Sequence, residues 1–147
     1  MPTVRDLLKI KGDQVWSIGP DTFVLEALEI MAEKNVGALV ILENEKMVGI
    51  ISERDFARAI ARIGRCVVEA PVKEYMTKEV YTVGPDMTSE ECMSIMTEKR
   101  FRHLPVMVED KLVGLISIGD VVKEVISAKE STIHNLENYI EGTDYNR

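Results

Sequence analysis

The chain has 147 residues, a formal net charge of −7 at pH 7 and 46% hydrophobic residues. This composition supports a packed core, and the negative charge argues against broad binding to nucleic acid or to an anionic membrane. No apolar run approaches the roughly 20 residues needed to span a bilayer, and no signal-peptide pattern opens the chain. We therefore expect a soluble cytoplasmic protein with no nucleic-acid or membrane partner.

Cysteine chemistry is not indicated. Cys66 and Cys92 stand apart, without a CxxC motif and without a histidine near either in sequence. This pattern favours buried or inert thiols and predicts no metal site.

The chain opens with a lead-in segment, residues 4–8, that resembles residues 72–77. We expect both segments to be short and helical. Position 72 follows position 4 by 68 residues, whereas later motifs repeat after 65 residues. The three extra residues fall in positions 9–14, which contain Gly12 and read as a loop.

After its lead-in, each half shows the same order of elements. A short strand ends at Gly-Pro-Asp, and an amphipathic helix follows. Two apolar strands joined by a charged turn then predict a hairpin, and a second helix follows it. The predicted strands are residues 15–18, 38–42 and 47–51 in the first half and residues 80–83, 104–108 and 112–116 in the second.

The two halves are an internal duplication. Residues 19–56 align without a gap on residues 84–121, and 15 of the 38 positions are identical, against about two expected by chance from average composition. One such half buries little surface alone. Two halves related by a pseudo-twofold axis can cover each other's sheets, and this arrangement creates two equivalent clefts.

Each half carries a strand-to-helix joint with the pattern Ser-x-x-Asp, formed by Ser52 with Asp55 and by Ser117 with Asp120. The pattern is typical of a helix capping box. It also suits a nucleotide, because the helix N-terminus attracts phosphate and a carboxylate can accept hydrogen bonds from the two hydroxyls of a ribose. The two interpretations are compatible.

Basic residues distinguish the two clefts. Arg102 and His103 precede the predicted strand at residues 104–108, where the first half has Gly37 and Ala38. In a chain of this charge, such a cluster favours contact with an anion, although a solvated loop and a satisfied histidine are the alternatives. Arg54 in the first joint likewise has no basic counterpart in the second.

The C-terminal residues 127–142 continue with apolar side chains at near-heptad spacing, and we expect a helix that ends near Gly142. This helix either packs back on its own module or forms a dimer contact. An apolar seam needs covering in both cases.

The duplicated pattern resembles a tandem pair of CBS (cystathionine β-synthase) domains, the Bateman module. It consists of Gly-Pro-Asp, a helix, the Leu-Pro-Val strand at residues 104–106, and Val-Gly-hydrophobic-Ile-Ser-x-x-Asp. The resemblance implies a mixed α+β (α/β) fold of two pseudo-twofold-related β-α-β-β-α repeats in one compact module. The expected parts are repeat 1 (residues 4–64), a linker (65–71), repeat 2 (72–126), a C-terminal helix (127–142) and a tail (143–147).

CBS pairs bind adenosine ligands, so the resemblance implies AMP as the expected ligand, with ADP, ATP, NAD(H) or S-adenosylmethionine as alternatives and no catalytic cofactor. It implies that Asp55 and Asp120 bind ribose. The phosphate-binding candidates are Ser52, Ser117, Arg102, His103 and Arg54. The adenine-lining candidates are Ser17, Ile18, Thr82 and Val83.

The expected function is a regulatory sensor that binds an adenosine nucleotide and acts in trans on an unidentified partner protein. A homodimer is implied, because family modules pair into flat dimers. One alternative is a ligand-free dimerisation scaffold. Another is a hydrolase that uses Ser117, His103 and Asp120, but the chain has no Gly-x-Ser-x-Gly motif and the histidine is not duplicated. We expect no enzyme.

Overall fold

The structure is a computed structural model that describes residues 2–145, with side-chain surroundings through residue 140. Residues 146 and 147 of the expected tail lie outside the described residues. The helices are α1 (Val4–Lys11), α2 (Val24–Lys34), α3 (Glu53–Ile63), a 3-10 helix (Val72–Glu74), α4 (Ser89–Lys99) and α5 (Ile118–Tyr145). The strands are β1 (Ser17–Ile18), β2 (Ala38–Glu43), β3 (Lys46–Ser52), β4 (His103–Val108) and β5 (Lys111–Ser117).

The predicted β-α-β-β-α repeat is confirmed, and the strand pairing of the two halves differs at the first strand. Strand β1 pairs in parallel with β2, and β2 pairs antiparallel with β3. In the second half, β4 pairs antiparallel with β5, and the predicted strand at residues 80–83 is reduced to one parallel bridge between Val83 and Val106. The difference arises because Val80 and Tyr81 line a cleft and make no ladder with β4.

Both hairpins turn through two residues with positive φ. The turn residues are Asn44 and Glu45 in the first half and Glu109 and Asp110 in the second. This conformation matches the right-handed twist of the flanking strands, which is why short hairpins favour it. Each hairpin therefore returns the chain in the same register, and the two Ser-x-x-Asp joints occupy equivalent positions.

Each lead-in segment packs on the opposite half of the molecule. The Val4 amide donates to the Met87 carbonyl at 2.8 Å, and the Val72 amide donates to the Thr22 carbonyl at 2.8 Å. Val4 is fully buried in the core of the second half, and Val72 is fully buried in the core of the first. The halves are therefore interlocked.

Two glycines at equivalent strand positions allow this packing. A Cβ on Gly49 would lie 2.6 Å from the Met76 sulfur and 3.0 Å from the Thr77 carbonyl oxygen. A Cβ on Gly114 would lie 2.6 Å from Leu8. Each lead-in thus rests directly on the backbone of the third or fifth strand, where any side chain would separate them.

Helix α1 continues to Lys11, so the expected loop at residues 9–14 begins only at Gly12, which has φ of +97°. Helix α5 is also longer than expected. It continues without a break from the second joint through Gly142 to Tyr145. Within the described residues, no helix combines the length and apolar character needed to cross a bilayer.

We predict that Gly49→Ala lowers the free energy of unfolding by about 1–3 kcal/mol, because the new methyl group overpacks the site against a backbone carbonyl. Urea denaturation measures the change. Gly84→Ala is the control, since a Cβ on Gly84 meets nothing within 4 Å. Equal midpoints for the two variants would contradict the close approach.

Candidate functional site

The first joint is a complete capping box at the start of α3. The Ser52 amide donates to Asp55 Oδ2 at 2.8 Å, and the Asp55 amide donates to Ser52 Oγ at 3.3 Å. The Ser52 hydroxyl also donates to Asp55 Oδ2 at 3.1 Å. Within residues 2–145, Asp55 Oδ1 accepts no hydrogen bond, so this oxygen can accept one from a ligand. The capping and ligand-binding interpretations are therefore compatible in geometry.

A cleft of about 410 Å³ lies against this joint, and this volume is within the usual range for small-molecule sites. We call it the Asp55 cleft. It brings together Ser52, Arg54 and Asp55 of the first half with Arg102 and His103 of the second. Its other lining residues are Gly37, Ile50, Glu53, Arg58, Thr77, Val80, Tyr81, Lys99, Arg100 and Phe101.

The Asp55 cleft concentrates positive charge in a chain of net charge −7. Five cationic side chains line it against two acidic ones, Glu53 and Asp55. The neighbouring Arg58, followed by burial, Arg102 and Arg100, lowers the pKa of Arg54. Cations held this close favour an anionic ligand, which would relieve their mutual repulsion. The five are Arg54, Arg58, Lys99, Arg100 and Arg102.

Arg100 enters this cluster from a backbone conformation that rarely suits arginine. It caps the C-terminus of α4 with φ of +61°, in the left-handed region that usually selects glycine or asparagine. The equivalent cap of α2 is Asn35, with φ of +55°. The second half therefore has backbone strain at the C-terminus of α4, at a residue whose guanidinium lines the cleft, and binding sites often carry such strain.

An aromatic ring and a lysine also meet in the Asp55 cleft. The Lys99 Nζ lies 5.6 Å from the centroid of the Tyr81 ring. The equivalent pair in the first half is Lys34 and Trp16, at 4.5 Å. The Tyr81 ring offers an apolar face to a flat ligand inside a basic cleft.

His103 is half-buried at the start of β4. Burial, followed by Lys11, lowers its pKa to about 4, and Arg102 acts in the same direction while Asp120 opposes it. A Cβ on Gly37 would lie 3.5 Å from the imidazole Nε2. His103 is therefore neutral at pH 7, and any contact that it makes with phosphate is a neutral hydrogen bond.

The second joint repeats the hydrogen bonds between serine and aspartate, but here a lysine also contacts the aspartate. The Ser117 amide donates to Asp120 Oδ2 at 2.8 Å, and the Asp120 amide donates to Ser117 Oγ at 3.2 Å. The Lys11 ammonium donates to the same carboxylate oxygen at 2.6 Å. Burial alone would raise the pKa of Asp120, but the hydrogen bonds from Lys11 and Ser117 lower it.

The adenine-lining candidates do not line the Asp55 cleft. Ile18 and Val83 are buried in the two hydrophobic cores, and Ser17 and Thr82 are exposed. Ser117 and Asp120 belong to the other joint. The ligand roles of all these residues stay predictions.

Sequence reasoning missed Tyr81, Arg58 and Arg100 as lining residues. Two signals were present. Arg58 follows Arg54 by one helical turn, so both project from the same face of α3. Arg100 belongs to the basic run before β4, although its left-handed backbone was not visible in the sequence.

The described part of the chain contains no group of His, Cys, Asp or Glu side chains arranged to hold a metal ion.

Comparison with known proteins shows the family. The model of the CBS domain matches residues 4–62 and again residues 72–127, so the chain belongs to the CBS domain family as a tandem pair. It is 37% identical over 150 aligned residues to the mitochondrial CBS domain-containing protein CBSX3 of Arabidopsis thaliana, covering 95% of this chain and 72% of that protein.

Two solved structures are also similar. The CBS domain protein NE2398 is 48% identical with a TM-score of 0.80, over 84% of this chain and 97% of that one. A signal-transduction protein with CBS domains from Burkholderia ambifaria, described as putative in its own name, is 43% identical with a TM-score of 0.81, over 85% and 94% of the two chains. The match therefore covers nearly all of both solved chains.

Two more distant matches bear on ligands and catalysis. The CBS domain pair of protein MJ0100, solved with 5′-methylthioadenosine and S-adenosyl-L-methionine, is 24% identical with a TM-score of 0.75, over 88% of this chain and 98% of that one, which shows the fold alone. An inosine-5′-monophosphate dehydrogenase of Korarchaeum cryptofilum is 35% identical over 108 residues, 73% of this chain and 21% of that enzyme.

We predict that acidification destabilises the protein partly through His103. The pKa of His103 is about 4 in the fold and about 6.5 when exposed, so the unfolded chain binds the extra proton as the pH falls from 6.5 towards 4. Between pH 7 and pH 5, wild type should lose about 1–2 kcal/mol more unfolding free energy than His103→Gln.

Urea denaturation at the two pH values measures this difference. His134→Gln is the control, because His134 is exposed on α5 and its replacement should keep the wild-type pH dependence. If His103→Gln and wild type lose the same stability, His103 is not held neutral by its surroundings.

Proposed function

We propose that the Asp55 cleft binds an adenosine nucleotide, and that binding makes this protein a regulatory sensor acting in trans on a partner protein. The observation that carries this proposal is the juxtaposition of five cationic side chains with the Asp55 carboxylate in one cleft of about 410 Å³. Adenosine-type ligands in the CBS pair of MJ0100 support the ligand class. We propose no enzymatic activity for the chain.

The ribose would bind Asp55. Its Oδ2 already accepts two bonds from Ser52 at 2.8 and 3.1 Å, which orient the carboxylate. The remaining oxygen, Oδ1, can accept from a ribose hydroxyl, and a charged acceptor makes this hydrogen bond stronger than a neutral one.

The adenine would pack against Val80 and the Tyr81 ring on the second-half side of the cleft. Both residues line the cleft, and an aromatic face contacts a base at low conformational cost. The Lys99 ammonium near the same ring adds a donor for base or phosphate.

The phosphates would lie near the N-terminus of α3, where the positive end of the helix dipole favours an anion. Arg54 and Arg102 flank this end from the two halves. Five cations against two carboxylates exceed the charge of one phosphate group, so within the expected ligand class the cleft favours ADP or ATP over AMP. NAD(H), which carries a diphosphate, fits the same argument.

We predict that ATP binds more tightly than AMP and that Asp55→Ala weakens both. Arg100→Asn should weaken ATP binding by about tenfold, because one charge-assisted contact contributes about 1.5 kcal/mol. It should not harm folding, since asparagine occupies the equivalent cap of α2. Isothermal titration calorimetry at fixed salt measures each affinity, with adenosine and GTP as further ligands.

The matched control is Lys46→Ala, which also removes one positive charge but lies in the first hairpin, outside the cleft. If only charges in the cleft affect binding, Lys46→Ala should bind ATP with wild-type affinity. Equal affinities for AMP and ATP would contradict the multiple-phosphate argument. Unchanged affinity in Asp55→Ala would contradict the ribose contact, and no binding of any adenosine ligand would leave the dimerisation scaffold as the function.

A specific observation favours the scaffold as the second candidate function. Helix α5 exposes apolar side chains at near-heptad spacing, each 50–60% exposed. We propose that a second copy of the chain covers this seam in a homodimer. The side chains are Ile126, Ile133, Leu136 and Ile140.

Light scattering coupled to gel filtration tests the homodimer. We predict the mass of two chains for wild type and of one chain for a variant with Ile133→Lys and Leu136→Lys, because both substitutions charge the seam. Ser131→Lys, which adds a charge to the far side of the helix, should stay dimeric. A single-chain mass for wild type would contradict the dimer.

The cytoplasm stays a prediction for the location of this chain, since the plant relative is named as mitochondrial.

A further inference from the structure

Lys11, in the last turn of α1, occupies the second strand-to-helix joint. Its ammonium donates to Asp120 Oδ2 at 2.6 Å and to the Leu115 carbonyl oxygen at 2.7 Å. The ammonium thus bridges strand β5 and the N-terminus of α5. It belongs to the first half in sequence but reaches the second half through the exchanged lead-in segment.

The first half has a different donor at the equivalent place. The Ile50 carbonyl, which corresponds to that of Leu115, accepts from the Thr77 amide at 2.9 Å. Ile50 and Thr77 both line the Asp55 cleft. A backbone amide satisfies the strand there and leaves Asp55 without a lysine, whereas Lys11 contacts both the strand and the carboxylate at the second joint.

The length of α1 explains this asymmetry. Leu8 packs on Gly114 as Met76 packs on Gly49, so the two lead-ins reach the strands at equivalent positions. Beyond that point α1 continues to Lys11, while the opposite lead-in is only a three-residue 3-10 helix. The three residues that the first half has in excess therefore deliver the lysine.

The charges around the second joint also differ from those of the Asp55 cleft. Gly119 stands where the first joint has Arg54, and Gly37 stands where the second half has Arg102. The Lys11–Asp120 pair is only partly exposed, with side-chain accessibilities of 33% and 25%. A ligand approaching Asp120 would therefore meet a carboxylate that already carries an ammonium held by two hydrogen bonds.

We propose that Lys11 is a latch that closes the second joint to adenosine ligands, so that one chain binds one nucleotide and binds it in the Asp55 cleft. The ligand class rests on the proposed function. The latch works by neutralising and crowding the carboxylate, since the Lys11 ammonium lies on Asp120 Oδ2, directly beside the oxygen that would accept from a ribose hydroxyl. It makes Lys11 a residue that determines which of two equivalent joints is used.

Removing the latch should create a second site. The test uses adenosine, which has no phosphate and so does not depend on the basic residues that the second joint lacks. In an Asp55→Ala background, Lys11→Ala should tighten adenosine binding by about fivefold, the value of a partly exposed ion pair of about 1 kcal/mol. Adding Asp120→Ala should abolish the gain. Calorimetry measures each affinity.

Lys9→Ala in the same background is the matched control. It removes a lysine from the same turn of α1, but Lys9 makes no contact with Asp120. If Asp55→Ala does not fold, as thermal melting will show, Asp55→Asn replaces it and keeps an oxygen for the capping box. Lys11→Ala alone should also tighten the weaker of two adenosine-binding events about fivefold.

The outcomes separate the latch from the proposed function. Unchanged or weaker adenosine binding after Lys11→Ala overturns the latch, even if ATP still binds the Asp55 cleft of wild type. Two adenosines bound with equal affinity per wild-type chain overturn it as well. A third outcome is that Lys11→Ala tightens adenosine binding while Asp55→Ala leaves ATP affinity unchanged. This result supports the latch but overturns the assignment of the nucleotide to the Asp55 cleft. No binding to any variant overturns both.

Discussion

The structure depends on the exchange of lead-in segments between its two halves. Each lead-in donates backbone hydrogen bonds to the start of the opposite helix and places a fully buried valine, Val4 or Val72, in the opposite core. Ion pairs of Arg5 with Asp86 and of Lys73 with Asp21 repeat the pattern at the surface, but exposed pairs contribute little. Burial of the valines contributes more than these pairs, because apolar area removed from water drives the packing. A single half would lose part of its core, so the repeats fold as one module.

Because of this exchange, residues of both halves line the Asp55 cleft. The Asp55 cleft takes its carboxylate from α3 of the first half and most of its positive charge from the segment before β4 of the second. Because the lead-in of the second half lacks the C-terminal extension that carries Lys11 in the first, nothing in the described chain covers Asp55 as Lys11 covers Asp120. A symmetric duplication has thus become asymmetric in charge and in contacts through a few positions, while the strands and joints that carry the fold have stayed equivalent.

The Ser-x-x-Asp joints show how one local structure can support both folding and binding. Capping uses the serine hydroxyl, the two amides and one oxygen of the aspartate, which satisfies donors that the helix start leaves free. The second aspartate oxygen is not needed for the cap. The capping residues therefore hold a carboxylate in a fixed orientation at the positive end of a helix, so that little conformational freedom is lost when a ligand binds.

The sequence by itself determined the repeat, the order of elements, the two capping boxes and the family, because these depend on spacing and on local hydrogen bonding. It also indicated that Arg102 and Arg54 distinguish the halves. Only the tertiary structure decided which half contributes to which cleft, since exchange of the lead-ins brings together residues more than 100 positions apart, such as Lys11 and Asp120. It likewise decided the neutral state of His103, which depends on burial. It placed Tyr81 at the cleft and Val83 in the core, because a single bridge replaces the expected strand.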